Sequence, residues 1–161
     1  MNIRQKISLE VFEQYEEVTY YTIRYDQEEY SETEKFFLNF MDKKEFKEDI
    51  DIISRKIENI GRKGCEERHF RHAGKMRDDV CSLPEYCIGS KLRLYAIKVS
   101  KNVVILGNGG YKNTKTYNED PVLNNYVTTL QIIDGKLKRK IYHKKININN
   151  NILQGSLTFE I

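Results

Sequence analysis

Between residues 18 and 25 the chain reads Val-Thr-Tyr-Tyr-Thr-Ile-Arg-Tyr, a run of β-branched and aromatic types that predicts a strand. After the acidic turn from Asp26 to Tyr30, Ser31-Glu32-Thr33-Glu34 forms a capping-box pattern, in which hydroxyl and carboxylate satisfy the orphan amides of a helix start. That helix turns Phe36, Phe37, Phe40 and Met41 inward. Asp42-Lys43-Lys44-Glu45 can cap a second helix, along which Phe46, Ile50, Ile53, Ile57 and Ile60 recur at spacings of four, three, four and three. One apolar stripe over about four turns results, with Gly61 in the left-handed role that ends a helix.

Residues 61–90 lose this periodicity and form a polar, basic connector, with a short strand expected around Arg68–Phe70. A hairpin follows: Lys91–Val99 as first strand, Ser100-Lys101-Asn102 as turn, Val103–Leu106 as second. The unbroken Val-Val-Ile-Leu run predicts a central strand covered on both faces. Gly107-Asn108-Gly109-Gly110 suggests a turn or bulge needing positive φ. It lacks the Gly-x-x-x-x-Gly-Lys-Ser/Thr spacing, which excludes a nucleotide-binding P-loop. Asp120-Pro121 marks a third helix start, with Leu123, Val127, Leu130 and Ile133 on one face. The last twenty residues suggest a loose hairpin, and no internal repeat is present. The fold class expected is α+β: two layers, an N-terminal strand and helical hairpin packed on a small, mainly antiparallel sheet, with an additional C-terminal helix and tail.

Composition narrows this picture. At 161 residues, 39% hydrophobic and 32% charged, the chain suits a single domain, 1–161. No window approaches the roughly 20 apolar residues of a membrane span. No signal-peptide stretch follows Met1, and cytoplasm is the expected compartment, with no membrane partner. The net charge of +3 conceals an asymmetry: residues 1–60 carry nine Lys/Arg against fifteen Asp/Glu, and residues 61–161 carry eighteen against nine, so −6 and +9 are joined. A basic remainder of this size suits a polyanion, although charge runs also arise as solvated faces. Cys65, Cys81 and Cys87 are odd in number and form no Cys-x-x-Cys pair, so a disulfide scaffold is not expected. Cys65, His69, His72, Cys81 and Cys87 lie close in sequence, but their spacing matches no common zinc module, so neither a metal nor a cofactor is implied.

The stretch Lys91-Leu92-Arg93-Leu94-Tyr95-Ala96-Ile97, followed by Val104-Ile105-Leu106-Gly107-Asn108-Gly109-Gly110, resembles the RelE/ParE superfamily of bacterial type II toxins, in its HigB-like part. The resemblance covers roughly residues 15–118, and residues 119–161 would then be an extension. It implies the toxin of a toxin–antitoxin pair, an mRNA endoribonuclease working without a metal on RNA at the ribosome, with a helix-turn-helix antitoxin as partner. In such chemistry the ribose 2′-hydroxyl attacks the adjacent phosphate, basic side chains stabilise the added charge, and other groups move protons. The resemblance offers Arg93, His69, His72, Lys112, Lys115 and Tyr117 as catalytic candidates, and Arg68, Arg71, Lys75, Arg77 and Tyr111 as RNA-binding ones. Each has a plainer reading. Arg93 can cover the sheet with its aliphatic stem. His69 and His72 fall where surface histidines are ordinary, and Lys112 and Lys115 can guard a sheet edge. Two other functional classes stay open: a ParE-like toxin that binds a topoisomerase, and a non-enzymatic interaction protein.

Overall fold

The computed structural model of the protein describes residues 5–74, 78–85 and 89–161. Lys75, Arg77 and Cys87 lie outside the described residues. Along the chain come β1 (Lys6–Gln14), β2 (Thr19–Tyr25), α1 (Glu32–Phe40), α2 (Lys47–Lys63), β3 (Arg71–His72), β4 (Val80–Leu83), β5 (Leu92–Lys98), β6 (Val103–Tyr111), α3 (Pro121–Tyr142), β7 (Ile146–Asn149), β8 (Ile152–Gly155) and β9 (Thr158–Glu160). Seven strands form one sheet in the order β3-β4-β5-β6-β2-β1-β9, and β7 pairs with β8 separately. Every neighbouring pair in the large sheet is antiparallel except β2 and β6, which run parallel with Thr19 opposite Val103.

The class is mixed α and β, as expected, and both faces of the sheet are covered. On one face Phe36 and Phe40 of α1 and Ile50, Ile53, Ile57 and Ile60 of α2 meet Leu92, Leu94, Ala96, Val104 and Leu106. On the other, Leu123, Val127, Leu130, Ile133 and Leu137 of α3 meet Tyr95, Ile97, Val103 and Ile105. Alternate residues of β5 and β6 therefore feed two separate cores, which is why Val103–Leu106 is apolar without interruption. The expected two layers gain a third. Residues 119–161 supply it, and they are part of the core rather than an appendage to it.

Local signals were realised unevenly. Ser31 and Glu34 close the capping box at α1, and Asp120 accepts from the Val122 and Leu123 amides at 2.9 and 3.2 Å to start α3. Asp42–Glu45 supplies no side-chain cap to α2: Lys43 begins a 3-10 turn, Lys44–Phe46, that precedes the helix, whose N-cap is Phe46. The helix-ending glycine is Gly64, at φ +101°, not Gly61, which stays helical. Gly107–Gly110 makes no turn and has no left-handed glycine; it is the buried second half of β6, and the bulge expected there is present as a register shift, Leu106 to Gly109 of β6 standing against Ala96 to Leu94 of β5. A Cβ at Gly109 would overlap the Arg93 carbonyl of β5, so the small residue answers a close approach between strands where β5 shifts register.

Candidate functional site

Side chains that share a face of a sheet line up across neighbouring strands. Arg71 of β3 stands opposite Ser82 of β4, and Ser82 stands opposite Tyr95 of β5. Arg93, two residues before Tyr95, falls on the same face. The loop leaving β6 returns over this row, held at its start by the Lys112 amide donating to the Lys91 carbonyl at 2.8 Å. Together they bound a cleft of about 170 Å³, lined by Arg71, His72, Ser82, Arg93, Tyr95, Lys112, Lys115 and Tyr117 with Ala73 and Thr116. Three stretches remote in sequence thus converge beside the start of α3.

The electrostatics of the cleft are one-sided. Arg71, Arg93, Lys112 and Lys115 contribute four cations, and no carboxylate is among the lining residues described. Burial, and then the nearby charges of Arg71 and Arg93, hold the Lys112 ammonium below its ordinary pKa, against a smaller pull from Glu119. Cations placed so that they repel one another are stabilised when an anion enters. The Arg93 guanidinium is aimed by its own strand: one terminal nitrogen donates to the Ser90 and Leu92 carbonyls at 3.1 and 2.9 Å.

Tyr95 is the residue that sequence reasoning passed over. It is 2% exposed, and its hydroxyl meets no hydrogen-bond partner among the described residues. Burial pushes the phenol up to about 12, with Arg93 pulling the other way, so at neutral pH it is a donor. The Tyr117 ring closes over it, edge to face, at 6.3 Å.

Six sequence candidates line the cleft: Arg71, His72, Arg93, Lys112, Lys115 and Tyr117, of which His72 stands opposite Cys81, a residue of the α1–α2 core, and so alternates to the face of β3 away from Arg71. Others do not. Arg68 and His69 sit on a 3-10 turn, Glu67–His69, where the Arg68 Nε donates to Glu66 at 2.6 Å and the His69 Nδ1 accepts from the Glu66 amide at 2.9 Å. Burial, then the charge of Arg68, lowers the His69 pKa. Neither side chain lines the cleft, and the strand expected there is two residues long and begins at Arg71. Tyr111 packs on Phe46 at 5.6 Å, away from the cleft lining. The Cys65 and Cys81 thiols are free and buried, and burial pushes the Cys65 thiol up to about 11. Among the described residues no group of three His, Cys, Asp or Glu side chains is placed to hold a metal ion, and no helix is long and apolar enough to cross a membrane. Compared with family models, with curated proteins and with solved structures, the chain matches none.

Proposed function

We propose that the cleft binds single-stranded RNA by a backbone phosphate and cleaves it by internal transesterification, and that the protein acts as the toxin of a type II toxin–antitoxin pair. The observation that carries this reading is the convergence of Arg71, Arg93, Lys112 and Lys115 on one small concavity beside His72 and Tyr117. A planar guanidinium meets two phosphate oxygens at once, which suits Arg71, while Arg93, one terminal nitrogen of which is held by the Ser90 and Leu92 carbonyls, adds its positive charge to the phosphate, whose charge grows in the transition state. Lys112, relieved of repulsion by the incoming anion, adds to them. The ribose 2′-oxygen attacks phosphorus and loses its proton, the bond to the 5′-oxygen breaks, and that oxygen takes a proton. His72 is the imidazole among the lining residues and takes this proton-moving part in the proposal. Tyr117 offers a ring on which an unpaired base stacks. The lining donors are cationic and hydroxylic, a set that neutralises phosphate directly.

Purified protein is incubated with single-stranded RNA, alone and on ribosomes, with and without chelator. Fragments ending in 2′,3′-cyclic phosphate are expected, with none from a strand deoxy at the cleaved ribose. Arg93→Ala is expected to lower the rate about a hundredfold or more, the scale of losing one transition-state donor. Induced expression should arrest growth and Arg93→Ala relieve it. Intact RNA together with undisturbed growth would sink the reading.

A further inference from the structure

The C-terminal end of α3 carries a second set of features that the cleft does not use. Tyr142 is 82% exposed, the most exposed large hydrophobic side chain among those described. Arg139, Tyr142 and His143 stand at i, i+3 and i+4, neighbours on one exposed helical face, with the Tyr142 and His143 rings edge to face at 5.2 Å. Lys144 follows in a left-handed turn at φ +60°, then Lys145, and a groove of about 590 Å³ opens beside these two lysines.

Cations at a helix C-terminus have an ordinary explanation, since they answer the helix dipole. It does not cover this cluster. The Lys140 ammonium is fixed by the Ser156 carbonyl and hydroxyl, each at 3.0 Å, and lies over the Phe159 ring at 4.2 Å. Its pKa is lowered by burial and then by the charges of Lys145 and Lys136. The fold therefore crowds like charges, and among the described residues none of Lys136, Arg139, Lys140, Lys144 or Lys145 forms an ion pair with a carboxylate. Charge is depleted from the core of a protein–protein contact, whereas a bare aromatic ring set among cations is the makeup of a single-strand platform.

We propose that the end of α3 is a second contact for single-stranded RNA, with Tyr142 stacking on a base and Arg139, Lys144 and Lys145 meeting backbone phosphates. Tyr117 of the cleft precedes the first turn of α3, and the helix is 22 residues long. Its ends are therefore about 33 Å apart at 1.5 Å per residue. A base-stacked strand touching both contacts spans about ten nucleotides at a stacked rise of about 3.4 Å each, and an extended one fewer. Only this length dependence rests on reading the cleft as an RNA site.

The test is fluorescence anisotropy with 2′-O-methyl RNA, which cannot be cleaved, as a 20-mer and as a 5-mer. Tyr142→Ala should weaken the 20-mer about tenfold, as loss of one base stack does, and leave the 5-mer unchanged. Lys144→Gln with Lys145→Gln should lower the slope of log affinity against log salt by about 1.4, at about 0.7 per phosphate. All three side chains are exposed, and a thermal melt of each variant checks that the fold is kept. Unchanged 20-mer affinity and slope in both variants would overturn the proposal, as would equal losses on both lengths. Tighter binding of polyglutamate than of RNA, with the same dependence on Tyr142, would assign the surface to an acidic polypeptide instead. An inert cleft reads out separately, as absent cleavage while the 20-mer still binds through Tyr142.

Discussion

Tyr95 belongs both to the α3-side core and to the cleft lining, and its hydroxyl is buried without a partner among the described residues. A buried hydroxyl that makes no hydrogen bond costs stability, and an apolar replacement of the same shape removes that cost. Tyr95→Phe is therefore expected to stabilise the protein by about 1 kcal/mol in urea unfolding. A destabilised Tyr95→Phe would mean that the hydroxyl serves the fold. At this scale the site was partly legible. Arg93, Lys112 and Tyr117 could be selected by residue type because cations and a ring near a strand end are chemically suggestive. Tyr95 could not, since within Leu-Arg-Leu-Tyr-Ala-Ile it reads as one more alternating apolar residue. Arg68 and His69 have the right types, but a 3-10 turn and the neighbouring Glu66 keep them engaged outside the cleft.

At the scale of elements, α3 joins the cleft to the core. Its first turn follows Tyr117–Glu119 directly, and the Asp120 carboxylate holds the Val122 and Leu123 amides. Asp120→Ala should cost about 1 kcal/mol, the usual worth of such a cap, read as a lower urea midpoint with an unchanged slope. Because Leu123 is the first core residue of the helix, a loosened first turn should also free Tyr117, seen as lower anion affinity at the cleft. The helices were legible since their apolar stripes and caps are local. The strands were less so. In β1, Ile7 and Leu9 alternate cleanly, but the register shift between Val11 and Glu13 leaves Val11 exposed and breaks the period. β3 has only two residues, too few for any period, and β9 exists because Lys6, Ile7 and Ser8 of β1 pair with it. Pairing between distant segments leaves little trace in either one.

For the whole molecule, the two cores divide the work of the sheet. Helices α1 and α2 cover one face, and residues 119–161 cover the other, the face on which Arg93 and Tyr95 of the cleft lie. The sequence resemblance set residues 119–161 apart as an extension, yet they contribute Leu123, Val127, Leu130, Ile133, Leu137, Ile146, Leu153 and Phe159 to a single buried cluster. Burying each such side chain is worth about 1.5–3 kcal/mol, so these eight represent about 12–24 kcal/mol. A domain of this size keeps a net stability of only about 5–15 kcal/mol. Removing them also uncovers Tyr95, Ile97, Val103 and Ile105, and leaves β1 as the sheet edge once β9 is gone. The truncated chain 1–118 is therefore expected not to fold, with no cooperative urea transition and collapsed amide dispersion in NMR. Restoring residues 119–161 as a separate peptide should recover the transition in part, because the lost face is a packing surface rather than a chemical one. A soluble, cooperatively folded 1–118 that still cleaves RNA would show instead that the sheet and its two N-terminal helices suffice, with α3 outside the folding unit.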